Sequence, residues 1–139
     1  MSLVPDILEQ SFDLVAPDGD RLMDEFYARL FVAAPAVRAL FPHDLVRQKR
    51  KLLEALVLLR GSLRTLDAIV PALRQLGARH ARYGARAEHY PVVGAALIAS
   101  MRAVAGPGWR EEYDVAWERA ISTVASAMLD GAAGASAAA

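Results

Sequence analysis

The stretch "LGARHARYG", Leu76 to Gly84, sets one histidine among arginines on a run with helical spacing. His80 stands four residues after Leu76 and shares a helix face with Leu73 and Leu76. A histidine on such a face is ordinarily a hydrogen-bonded core or boundary residue. The other reading is a metal ligand, because neutral imidazole offers one nitrogen lone pair. Which of the two holds depends on what the rest of the chain can build around it.

The chain has 139 residues, 55% of them hydrophobic and 23% charged, which is one domain's length with enough apolar material for a packed core. There are no cysteines, so disulfides, thiolate metal sites, iron–sulfur clusters and thiol nucleophiles are excluded. The N-terminus "MSLVPDILEQSFDLV" carries acids early and lacks the basic start of a secretory signal. The longest apolar stretches are interrupted by Arg, Glu or Gly. The expectation is a soluble, cytoplasmic protein without a membrane partner.

Net charge is zero but uneven: residues 1–28 hold seven acids and one base, residues 29–86 twelve bases and three acids, and residues 87–139 six acids and three bases. A basic middle can face nucleic acid, an acidic protein or an anionic cofactor. It can equally be a set of solvated helix faces, and no nucleic-acid partner is expected.

The periodicity is helical almost throughout. Val4, Ile7, Leu8, Phe12 and Val15 form one stripe. "APDGD" then breaks the chain, and Asp18 or Asp20 can cap the second helix. Leu22, Met23, Phe26, Tyr27, Leu30 and Phe31 form a second stripe, and Pro35 suits the first turn of a short third helix ending near "LFPHD". A long helix is expected from about Asp44 to Arg64, with Leu45, Gln48, Leu52, Leu56 and Leu59 on its inner face. The next is expected from near Asp67, with Pro71 in its first turn, to Tyr83 before Gly84. "HYP" opens another, "GPG" at 106–108 breaks it, and a last helix carries Trp109, Tyr113, Trp117, Ile121, Val124 and Met128. No segment alternates with period two. This gives an all-α domain over residues 1–131, followed by a low-complexity Ala/Gly tail, 132–139, expected to be disordered. Its uneven helix lengths suit a globin-like assembly better than a regular four-helix bundle, but periodicity alone leaves the choice open.

Four polar residues interrupt apolar faces: Tyr27, Gln48, His80 and Tyr90. Buried polar groups need partners, so they are either bonded locally or converge on a pocket.

At this point the chain resembles the globins, and among them the bacterial single-domain haemoglobins and the globin domain of flavohaemoglobins, from about Val4 to Met128. "FYARLF" followed by "PAVRALF" resembles the end of the second globin helix and the short third one, with Pro35 and Phe41 matching the family's proline and haem-stacking phenylalanine. "QKRKLL" resembles the distal helix, and "LGARHARYG...HYPVVG" the proximal region. The resemblance implies a globin fold of six to eight helices around haem b, held without covalent attachment, with His80 as the iron ligand. Phe41, Leu52, Leu76 and Tyr90 would contact or support the cofactor. Tyr27 and Gln48 would donate hydrogen bonds to a bound diatomic gas, with Leu52 as the apolar gate. The propionates would find partners among Arg47, Lys51, Arg79, Arg82 and Arg86.

One departure stands out. The family's glutamate in the last helix, which completes the proximal network with the tyrosine matched by Tyr90, would fall near Gly134; Asp130 lies one turn earlier. The implied function is reversible binding of dioxygen, nitric oxide or carbon monoxide. The alternative is nitric oxide dioxygenase activity. Because the chain stops about where the globin ends, that activity is expected to need a separate reductase.

Overall fold

The computed structural model describes residues 4–138, with side chains described through residue 134. Six α-helices follow in order: α1 (Pro5–Val15), α2 (Gly19–Ala33), α3 (Val46–Gly61), α4 (Leu66–Arg82), α5 (His89–Ala105) and α6 (Glu111–Ala138). Short 3₁₀ turns link them, and the described residues contain no strand.

The sequence explains most of these boundaries. Pro5 opens α1, where a missing N–H costs nothing. Asp18 occupies the N-cap position of α2, but its side chain makes no capping bond; Asp20 lies in the first turn instead and complements the helix dipole. The expected short helix after Ala34 is a 3₁₀ segment, Pro35–Leu40. α3 starts at Val46, two residues later than its spacing suggests: Leu45 is the N-cap, and Asp44 before it accepts the Val46 N–H at 2.9 Å in a turn. α3 ends at Gly61, where Ser62 turns its hydroxyl back to the Leu58 carbonyl at 2.9 Å. The last residues of the expected long helix become a separate turn, Leu63–Thr65.

Pro71 differs more. It stands inside α4 rather than in the first turn, because that helix already begins at Leu66. The helix absorbs the missing N–H on an exposed face. At the other end of the chain, α6 continues through Ala138 and takes in the stretch 132–138 that composition marks as a disordered tail. Alanine is the strongest helix former, so an alanine-rich extension of an established helix continues at little cost.

The core gathers Leu8, Phe12 and Val15 from α1, Leu22, Met23, Phe26 and Leu30 from α2, Leu97 and Met101 from α5, and Trp117 from α6. Its polar members are satisfied: the Trp117 indole donates to Ser11 Oγ at 2.8 Å, and Ser11 donates to the Ile7 carbonyl at 2.8 Å. His89–Gly108 is long and apolar enough to cross a membrane by length and composition, but α5 is a central helix here, with Leu97, Ile98 and Met101 buried.

The helices pair unevenly. α4 lies closely along α6, and α2 along α5. α3 rests mainly on α2, while α3 and α4, although consecutive, barely meet. Helix-to-helix packing is open between α3 and α4.

Candidate cofactor and ligand site

His80 is half-buried in the last turn of α4 and tied down twice. Its Nδ1 lies 2.8 Å from the Leu76 carbonyl oxygen one turn earlier. An acceptor at that nitrogen requires Nδ1 to carry the proton, so Nε2 keeps its lone pair. The backbone is held as well. Ala85 N–H donates to the His80 carbonyl at 2.9 Å and Gly84 N–H to the Ala81 carbonyl at 3.1 Å, the paired bonds of a Schellman ending. That ending needs a left-handed residue, and Gly84 supplies it with φ of 101°. A Cβ on Gly84 would come within 3.0 Å of Leu40, so the end of α4 sits beside the turn that presents Phe41.

On the other side of the opening, Tyr27 is 3% exposed and surrounded by rings. Phe41 meets it edge-on at 5.7 Å, Phe26 at 4.9 Å and Phe31 at 5.8 Å. Burial pushes the Tyr27 phenol above its ordinary value; the neighbouring Gln48 side chain pulls partly the other way. No hydrogen bond of ordinary geometry closes between them. Gln48 and Leu52, one turn apart on α3, are half-buried, as are Leu45 and Phe41. On α4, Leu73 and Leu76 are half-buried on the His80 face. Large apolar side chains on α3, on α4 and in the turn before α3 are thus left half-covered, and a flat apolar body could cover them.

Tyr90 starts α5 and is partly buried, which pushes its phenol upward. It makes no hydrogen bond to His80. Nor does Asp130, which is exposed. His43 is exposed, and His89 is occupied in a turn, accepting the Arg86 N–H at 3.0 Å. Tyr27, Gln48 and Phe41 are therefore brought together; His80 and Leu76 form a second group on α4; Tyr90 joins neither by a bond.

Arg38 belongs to the site although its sequence position gave no sign of it. It donates to the carbonyls of Phe41, Pro42 and His43 at 3.4, 2.9 and 2.8 Å, and its guanidinium sits 5.1 Å from the Phe31 ring centre. It thus fixes the turn that aims Phe41 at Tyr27. The only hint in the sequence is its place three residues before Phe41.

A family model described as Globin matches residues 24–128. The chain belongs to the globin family. The globin is 31% identical over 127 residues to the flavohemoprotein of Bacillus thuringiensis subsp. konkukian, covering 89% of this chain and 31% of that protein. It is 27% identical over 129 residues to the flavohemoprotein of Bacillus subtilis, covering 89% and 32%. The chain spans about a third of the length of these curated relatives. Among solved structures, the globin is similar to a Rhodothermus marinus protein described as an engineered carbene transferase and candidate nitric oxide dioxygenase. That match has 28% identity and a TM-score of 0.82, and covers 99% and 98% of the two chains. A bacterial globin of Campylobacter jejuni shares the fold at a TM-score of 0.81 with 24% identity, covering 94% of each chain. The all-α globin fold expected from the sequence is the fold observed.

Proposed function

We propose that this globin holds haem b non-covalently in the opening between α3 and α4, with His80 Nε2 on the iron, and binds dioxygen or another diatomic gas reversibly. The observation that carries this reading is the bond from His80 Nδ1 to the Leu76 carbonyl at 2.8 Å, which leaves the other ring nitrogen free as a ligand. The residues fit the group. Half-covered Phe41, Leu45, Leu52, Leu73 and Leu76 match an apolar macrocycle, and the absence of cysteine fits non-covalent retention. When bound, haem would supply an iron able to take a diatomic ligand.

The protein's own residues would do the rest. Phe41, Leu52 and Leu76 exclude water and pack on the ring. Tyr27, whose burial keeps the phenol protonated, offers an O–H donor, and the Gln48 amide offers an N–H. Tyr90, at the start of α5, would support the proximal side, although it makes no bond to His80. Arg47, Lys51, Arg79 and Arg82 make no ion pair with any described residue, so they remain available to the propionates, whereas Arg86 reaches Glu88 at 3.8 Å. In solvent each such pair is worth little. The partner of the imidazole is a neutral carbonyl rather than a carboxylate, which favours a ligand binder over a strongly electron-pushing centre.

Nitric oxide dioxygenase activity is the second reading. It is favoured by the likeness to the Rhodothermus marinus protein, described as a candidate for that activity, and by the Tyr27–Gln48 pair. It requires a reductase to return ferric iron to ferrous.

Visible spectra of ferric, ferrous and carbonyl forms test the proposal. The Soret band of the purified protein should be lost or displaced in His80→Ala; an unchanged spectrum would sink it. Rapid nitrate formation from the oxygenated protein, sustained by an added reductase, would favour the dioxygenase. Slow cycling limited by autoxidation would favour the binder.

A further inference from the structure

α4 touches little besides α6. It makes only slight contact with the Leu63–Thr65 turn and no substantial contact with α1, α2, α3 or α5. Whatever sets the position of His80 must therefore act across the α4–α6 seam.

That seam contains two glycines facing backbone. A Cβ on Gly77 would overlap the carbonyl oxygen and Cα of Met128. A Cβ on Gly131 would overlap the carbonyl oxygen and Cα of Arg74. The contacts are reciprocal. Gly77 on α4 admits the α6 backbone at residue 128, and Gly131 on α6 admits the α4 backbone at residue 74, each pair one turn from the other along the seam. Neither glycine has a positive φ, so both are required by proximity and not by backbone angle. Neither obstacle can swing aside, because it is helix backbone and not a side-chain tip. Gly94 on α5 faces α6 too, but its Cβ would meet only Ile121 Cγ2 at 3.0 Å, a side chain able to turn.

Gly77 lies between the two residues that matter. It follows Leu76, whose carbonyl holds the imidazole, and precedes His80 by three positions on the same rigid helix. Any separation of α4 from α6 at Gly77 must carry the Leu76 carbonyl and His80 with it.

We propose that Gly77 and Gly131 are positioning residues for the proximal histidine: their paired backbone contact sets how far His80 stands from α6, and through this the length and strain of the bond it makes to iron. The inference rests on the haem-ligating reading of His80. It assigns to helix seating part of the control that would otherwise come from a carboxylate behind the imidazole.

The test compares Gly77→Ala and Gly131→Ala with two controls. Gly134→Ala adds the same methyl to α6 at a site with nothing within 4 Å. Leu8→Ala weakens the core from α1, away from the seam, at a residue that is 0% exposed. In the ferrous, unligated holoprotein, the iron–histidine stretching frequency from resonance Raman should shift in both seam variants. Haem transfer to apomyoglobin should speed up on the order of tenfold. Gly134→Ala should match the wild type in both measurements. Leu8→Ala should lower unfolding stability with no frequency shift.

Should Gly77→Ala fail to fold, Gly131→Ala decides the matter. Of the buried α6 residues, Tyr113, Trp117 and Ala120 lie well before it and only Met128 lies within one turn, so the main core is not opened by this change. A wild-type stretching frequency in Gly131→Ala, with His80 shown to be the ligand, overturns this inference alone. A Soret band that survives His80→Ala overturns the haem-ligation reading and this inference together.

Discussion

His80 shows what a residue pattern can and cannot carry. Its four-residue spacing from Leu76 is visible in the chain and leads to the bond that fixes the tautomer, because residues four apart on a helix lie one above the other. Tyr27 and Gln48 are twenty-one residues apart, and only the packing of α2 against α3 brings them together. Their proposed donor role has a kinetic consequence. Tyr27→Phe and Gln48→Leu should each speed dioxygen dissociation, by roughly tenfold if each hydrogen bond to the polarised ligand is worth about 1.5 kcal/mol. Stopped-flow off-rates check this, and unchanged rates in both would remove the pair from that role.

The Tyr27 phenol also makes a stability prediction. Its folded value lies above its unfolded value, so its contribution is complete below the unfolded pKa of about 10 and is lost as pH rises through the folded one. Alkaline titration of tyrosine absorbance should show a late phase that shrinks in Tyr27→Phe, leaving the part due to Tyr90.

At the scale of elements, the stripes on α1, α2, α5 and α6 were legible because their buried faces repeat at helical spacing. The ends were less so. Pro71 reads as a helix opener, but Leu66 and Asp67 extend the helix ahead of it, and α4 tolerates the proline on an exposed face. Arg38 was missed since nothing in a sequence reveals that a guanidinium will gather three carbonyls from the turn after its own helix. The joint between α1 and α6 is another product of packing. The Trp117 indole reaches a hydroxyl 106 positions away in the chain, at Ser11. Ser11→Ala should strand that N–H in the core and cost about 1–3 kcal/mol in denaturant unfolding. A change well below about 0.5 kcal/mol would mean that the indole finds another acceptor.

Across the whole molecule, α1, α2, α5 and α6 carry most of the buried side chains, whereas α3 and α4 bury one residue each, Leu56 and Gly77, although α4 is seated closely on α6. If haem fills the space between that pair, it stabilises the fold by linkage. At free haem about 100 times Kd the holoprotein gains about 2.7 kcal/mol over the apoprotein. Hydrogen exchange of the apoprotein should locate the faster amides in α3 and α4, and uniform protection would contradict this division.

The far end of α3 and the turn after it are clamped to α1 by charge: Arg60 of α3 to Asp13 at 2.8 Å, and Arg64 of the turn to Glu9 at 2.8 Å and to Asp6. The Arg60 hydrogen bond holds the Asp13 carboxyl below its ordinary 3.8. The clamp is therefore complete above that value and weakens as pH falls through the lowered one. Arg60→Ala should reduce stability slightly at neutral pH, and less at low pH or in high salt, where an exposed pair is neutralised or screened.

By itself the sequence determined the helical class, most helix spans and the absence of cysteine, and its resemblance to the bacterial globins singled out His80 as the candidate ligand. The first three come from local period and composition, which a single chain displays directly. Tertiary structure alone decided the meaning of two glycines. Gly77 would read as a mild flaw inside a helix, and Gly131 sits at the edge of the stretch that composition marks as a tail. Folded, each gives way to the other helix's backbone. The room for a Cβ depends on the neighbouring helix, and no local pattern records that distance. The same seam carries α4, so the position of the histidine in "LGARHARYG" is set as much by residues 128–131 as by its own neighbours.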